Sequence, residues 1–205
     1  NLFNIVVESV LSKSPTVVYR GQLIVFNLLK TQSIERAPEL FLKDDVLDKI
    51  IQSQIENPAS GGFLFLKELY LLSTTFSGHI WSLMPKTSSS KWKNVSSIMQ
   101  SYFGHFCNYI IECDTFTQPI ESCCKLCLTL FAHQKKKINP LYISCLKKLC
   151  QMFFNYPTNT FLHQSFYQSI EKLKSKKCLT NELIEQLDLS DKIIECYKKR
   201  ETNAF

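Results

Sequence analysis

The residues best suited to chemistry in this chain are its thiols and imidazoles. Cys123-Cys124-Cys127 is the densest group, two adjacent cysteines and a third after two further positions. A zinc site needs a second pair of ligands and a knuckle that turns the sulfurs toward one ion. No second C-x-x-C is present, and Cys107, Cys113, His105 and His133 could join only through the fold. On a helix, Cys123 and Cys127 share one apolar face, where cysteine acts as a small hydrophobe, and that reading outweighs a metal site. The histidines, His79, His105, His133 and His163, show no HExxH or other paired spacing. A Cys/His nucleophile pair has its ingredients but no local signature. Gly61-Gly62 is a lone pair before an apolar run, a turn rather than a phosphate loop. No catalytic residue, cofactor-binding residue or metal ligand is assigned, and the chain is expected not to be an enzyme.

Three basic runs are the other chemically loaded stretches: Lys135-Lys136-Lys137, KLKSKK with Lys174, Lys176 and Lys177, and Lys198–Arg200. Each closes an apolar periodic segment, where cations offset the negative end of a helix dipole. The alternative is a basic edge that grips phosphates or an acidic protein. Only three arginines, Arg20, Arg36 and Arg200, are available for bidentate base reading, which weighs against sequence-specific nucleic-acid recognition. The net charge of +6 permits an acidic partner without requiring one. Aromatics make up 12% of the chain and fall at helical core positions rather than on stacking platforms.

The elements that must position these residues are helices. Only five glycines and seven prolines, with 45% hydrophobic residues over 205 positions, argue against a turn-rich sandwich and for an all-α fold. Asn1–Lys13 reads as part of a packed helix, and Ser14-Pro15 starts the next, in which Gly21 marks close packing. A short turn over Pro38–Lys43 leads to Asp44-Asp45 at a helix start, with Asn57-Pro58 as its stop. Ser60 opens a helix over Phe63–Phe76 that is apolar almost all round. The serine-rich, polar segment 85–93 reads as an exposed loop. Trp92 to Ile110 then form one long aromatic helix, and Thr117-Gln118-Pro119 starts another.

Asn139-Pro140 is an N-cap followed by proline at the first helical position. Leu141, Cys145, Leu149, Met152 and Phe153 line one face, and Asn155-Tyr156-Pro157 ends the helix. Thr158 or Asn159 caps the next, with Leu162, Phe166, Ile170 and Leu173 inward. Two short helices follow, capped by Thr180 and Ser190. Helices of this length joined by short connectors have the rhythm of a HEAT/armadillo-like helical-repeat solenoid of stacked antiparallel helix pairs, with an irregular helical bundle as the rival. The expectation is one repeat domain over 1–205, a fragment of a longer protein. Nine cysteines inside apolar faces fit a reduced, intracellular chain, cytoplasmic or also nuclear. No apolar run is long enough for a membrane span.

The segment Phe153–His163, FFNYPTNTFLH, resembles a signature of the SAPS family, regulatory subunits of Ser/Thr protein phosphatase 6. Two neighbours resemble that family in the same order: Gln118-Pro119-Ile120 through Lys125-Leu126, and Leu183–Asn203. The resemblance spans about Asn94–Asn203. Thr158 and Thr160 stand where the signature has tryptophan and asparagine, Glu121 where it has glycine, and Lys192 and Tyr197 where it has arginine and tryptophan. The resemblance implies a non-catalytic scaffold that binds a type-2A-like Ser/Thr phosphatase catalytic subunit and directs its substrate choice. Asn155, Tyr156, Asn159 and His163 are then partner-binding candidates, although Asn159 as a helix cap and His163 bonded to a nearby carbonyl are local roles that take precedence. The alternative is a generic helical-repeat adaptor in a transport or nucleic-acid-associated assembly that uses the basic edge.

Overall fold

Breaks at proline and asparagine and the recurrence of apolar residues at three- and four-residue spacing divide the chain into helices. The computed structural model describes residues 2–31, 37–58, 61–76, 86–134 and 138–202, and among these every regular element is an α-helix. In order they are α1 (Leu2–Val10), α2 (Pro15–Thr31), α3 (Ala37–Phe41), α4 (Asp44–Glu56), α5 (Gly62–Phe76) and α6 (Lys86–Ser101), then α7 (Phe103–Ile111), α8 (Gln118–His133), α9 (Pro140–Asn155), α10 (Thr160–Ser175), α11 (Asn181–Gln186) and α12 (Leu189–Thr202). None of them is long and apolar enough to cross a membrane.

The chain folds as two compact units, Asn1–Phe103 and Gly104–Phe205. The division falls inside an apolar stretch with no polar linker, so nothing in the composition announces it. Segment 85–93 is not the loop its serines suggest. Residues 86–93 are the first half of α6, while Pro85, like Ser60, lies outside the described residues. Trp92, buried completely, begins an inward line that continues through Val95 and Met99, and that burial outweighs the weak helix preference of the serines. The single long helix expected from Trp92 to Ile110 is two, broken by a turn at Tyr102. The Tyr102 hydroxyl donates to Asp48 Oδ1 of α4 at 2.5 Å. The turn expected at Pro38–Lys43 contains the short helix α3. The cap expected at Ser190 is not one: Ser190 lies inside α12, which begins at Leu189 directly after Asp188 takes a left-handed backbone conformation (φ 52°).

In the first unit, α1 lies against α2, α5 packs on α2, α4 and α6, and α3 packs on α2, α4 and α6. Gly21 permits the α1–α2 approach: a Cβ there would meet Ser9 Oγ and stand 2.9 Å from the Val10 nitrogen. Four helices converge on a buried amide pair. Gln22 Nε2 of α2 donates to Gln54 Oε1 of α4 at 2.7 Å, and Gln54 Nε2 donates to the Val10 carbonyl of α1 at 3.3 Å. Gly62 of α5 completes the junction, since a Cβ there would run into the Gln54 side chain.

In the second unit α10 packs on both α8 and α9, and α12 packs on α9 and α11. Phe131 of α8 stacks on Tyr142 of α9, with ring centroids 4.7 Å apart. The core there is Phe106, Ile110, Ile120, Leu126, Leu130, Leu146, Leu149, Leu162 and Leu173 together with six cysteines. Cys150 Sγ reaches the Leu187 carbonyl at 3.5 Å and ties α9 to the end of α11.

Candidate functional site: the α9–α10 corner and the buried thiols

Proline at position 157 forces residue 156 out of the helical region, so α9 must stop there. Stopping leaves carbonyls of the last turn without intrahelical partners. Tyr156 N closes one by bonding Met152 O at 2.9 Å. His163, one turn into α10, closes another: its Nε2 lies 3.2 Å from Phe153 O and 3.1 Å from Tyr156 O. Both partners are carbonyls, so the nitrogen carries the proton and donates. The imidazole also packs on Phe153 with ring centroids 4.2 Å apart, and Phe153 in turn contacts Phe166 at 5.2 Å. Asn159 is the N-cap of α10: its Oδ1 accepts from Leu162 N at 3.0 Å. Asn159 and His163 are therefore both committed to holding the corner. Asn155 is exposed at the end of α9 and Tyr156 is 41% exposed. Phe161 is 61% exposed, and Tyr167 on the same helix is 63% exposed. Phe161, Tyr156 and Asn155 thus stand at the surface of the corner, together with Pro157, Thr158 and Thr160.

The basic residues divide. Lys135, Lys136, Lys137 and His79 lie outside the described residues. Lys174 and Lys177 are exposed. Lys176 is turned inward: its ammonium donates to Phe131 O at 2.7 Å and to Gln134 O at 2.6 Å, and sits 4.5 Å from the centre of the Phe131 ring. It caps the last turn of α8, a favourable place for a cation. Partial burial draws its pKa below the ordinary lysine value. Lys176 therefore does not stand with Lys174 and Lys177 on a basic edge.

The cysteines fall where the helical period puts them, inside. Cys123, Cys124 and Cys127 are buried on α8, and Cys123 Sγ donates to Phe106 O of α7 at 3.4 Å. The thiols of Cys107 on α7, Cys127 on α8 and Cys145 on α9 influence one another's ionisation. Cys107, Cys113, Cys123, Cys124, Cys127, Cys145, Cys150 and Cys178 are free thiols. Hydrogen bonds from Cys127 and Cys145 lower the Cys107 pKa to about 5. Burial first, and then the Cys107 contact, push Cys127 well up. The Cys107 contact and burial do the same for Cys145. Helical spacing alone places Cys123 beside Cys127. It carries no signal for the meeting of Cys107, Cys127 and Cys145, which lie on three helices and are 18 to 38 positions apart. Among the described residues no group of three or more His, Cys, Asp and Glu is arranged to hold a metal ion.

No family model matches this chain, and no curated protein and no solved structure matches it.

Proposed function

We propose that this chain is a non-catalytic scaffold of the HEAT/armadillo-like kind, which binds a type-2A-like Ser/Thr phosphatase catalytic subunit and directs its substrate choice inside the cell. The observation that carries the reading is the corner Asn155–His163. Its sequence resembles the SAPS signature, and its cap residues turn inward while Asn155, Tyr156 and Phe161 stay at the surface. The way α10 packs on both α8 and α9 supports layered helices in this half of the chain. A scaffold of this kind adds no catalytic group and presents a surface. An interface of roughly 1,200–2,000 Å² would rest on a few aromatic anchors rather than on net charge. Tyr156 and Phe161 have the right character, broad apolar area, with a polar tip on the tyrosine. The adaptor alternative depends on a basic edge, and it loses Lys176 to the end of α8.

The test is affinity capture from the source cell, with the captured proteins identified by mass spectrometry. A Ser/Thr phosphatase catalytic subunit is the expected partner. Tyr156→Ala and Phe161→Ala should each reduce its retention about tenfold or more, as loss of an interface anchor does, while the far-ultraviolet circular dichroism is unchanged. Capture without any phosphatase would end the reading. Retention undiminished by both substitutions would move the contact away from the corner.

A further inference from the structure

The first unit carries an apolar surface that the scaffold reading does not use. Of the thirteen large apolar side chains exposed among the described residues, six lie on α1 and α2: Leu2, Ile5, Val17, Tyr19, Leu23 and Ile24, each 42–73% exposed. Exposed hydrophobic residues scattered singly are ordinary, whereas a cluster of them on one pair of helices marks an interaction surface. The helical period draws them into lines. Leu2, Ile5 and Glu8 recur at three-residue spacing on α1, and Val17, Arg20 and Ile24 at three and four on α2, with Tyr19 and Leu23 beside them. Glu8 and Arg20 are exposed, and among the described residues neither has an ion-pair partner. We propose that this face is a self-association surface, on which a second copy of the chain lays its α1 on α2 of the first and its α2 on α1. The inference is independent of the phosphatase reading.

The placement of charge selects a second copy as the occupant. α1 and α2 are joined by the short connection Leu11–Ser14 and pack together, so they run antiparallel. They cross where a Cβ on Gly21 would meet Ser9 Oγ. Glu8 and Arg20 each stand one residue from that crossing, level with each other and opposite in sign. An isologous interface brings the same patch of two copies together, so the patch must contain its own complement. A twofold axis along the groove between α1 and α2 meets that condition, because it sets each helix over the other kind at the same height. Each Glu8 then faces Arg20 of the other copy. Ile5, before the crossing on α1, and Ile24, after it on α2, lie toward one end of the antiparallel pair and meet likewise. A uniformly acidic or basic partner would answer one sign and leave the other stranded against apolar surface. The six side chains also supply a large share of the roughly 800 Å² that each partner of a standard interface buries.

The experiment measures the mass of the full chain by sedimentation velocity over a range of concentrations. The expected result is a shift from one chain to two as concentration rises, with Ile24→Glu returning the sample to one. The charges supply the decisive comparison. Glu8→Arg alone sets two pairs of like charges against each other across the axis, as does Arg20→Glu, and each should weaken self-association about tenfold or more. An equimolar mixture of the two variants should recover it, since each supplies the sign that the other lacks. An ion pair within one chain cannot be restored by mixing. Circular dichroism checks that each variant is folded. The proposal is overturned if the unsubstituted chain keeps the mass of one chain at every concentration. It is equally overturned if a dimer forms that is indifferent to Ile24→Glu, or if mixing the two charge variants recovers nothing. Should Ile24→Glu not fold, Ile5→Asp takes its place.

Discussion

The two units bury polar side chains at the places where their helices converge, and they use different groups to do it. In Asn1–Phe103 the junction is made by carboxamides. Gln22 and Gln54 bond each other, and Gln54 also bonds the Val10 carbonyl, with Gly62 leaving the space that the second amide occupies. In Gly104–Phe205 the junction is made by thiols, Cys107, Cys123, Cys127 and Cys145. A carboxamide brings strong donors and acceptors, and each one left unmet in a core costs roughly 1–3 kcal/mol. A thiol is a weak donor and a weak acceptor that behaves mainly as a small hydrophobe. The amide junction therefore fixes the relative placement of α1, α2, α4 and α5 through directional bonds. The thiol junction tolerates small shifts of α7, α8 and α9.

The contrast is most exposed to failure at Gln54. Gln54→Leu strands both the Val10 carbonyl and the Gln22 amide, so the first unit should lose about 2–4 kcal/mol. Hydrogen exchange should locate that loss in α1, α2, α4 and α5, with the second unit unchanged. Adding Gln22→Leu to it should recover part of the loss, since one stranded donor disappears. At the thiol junction Cys127→Ala should cost about 1 kcal/mol, near the value of a single buried methylene, read as faster exchange in α7, α8 and α9. A cost at Cys127 equal to that at Gln54 would erase the distinction between the two junctions.

The cap of α10 should matter less than the amide junction and about as much as the thiol junction. Asn159→Ala is expected to cost about 1 kcal/mol through loss of the bond to Leu162 N, with fraying confined to the first turn of α10. Glu182→Gln should give the smallest effect. A hydrogen bond from Thr180 holds the Glu182 carboxyl below its ordinary value of 4.5. A carboxyl with a depressed folded-state pKa contributes stability that is complete above its unfolded pKa and fades as pH falls through the lowered one. Thermal scans of the two chains should differ slightly at neutral pH and coincide in acid below that window.

Features fixed by near neighbours along the chain are legible in the sequence. Asn139, Asn159 and Thr180 are caps as their positions suggest, each with its side-chain oxygen accepting from a backbone N–H in the first turn. The all-helical class follows from apolar spacing, and the α9–α10 corner from Pro157. Features decided at long range are not legible there. The serines of 86–93 are helical because Trp92 is drawn into a core that the local sequence does not reveal. The break at Tyr102 accompanies a hydrogen bond to Asp48, 54 positions away. Of the candidate site, the inward roles of Asn159 and His163 can be read from a cap position and a one-turn spacing. The withdrawal of Lys176 and the meeting of Cys107 with Cys127 and Cys145 cannot, because their partners lie on other helices.

Lys176 carries a consequence for enzymes that act on lysine. Its neighbours Lys174 and Lys177 are open at the end of α10, whereas its own ammonium is held by two carbonyls and an aromatic ring. A trypsin-like protease must take the side chain into its specificity pocket, and an acetyltransferase must take the amine as a nucleophile. Both should pass over Lys176 in the folded chain and work first on Lys174 and Lys177. The fold thus protects one lysine amid exposed ones, and cleavage or acetylation at Lys176 becomes a readout of the α8 terminus coming undone.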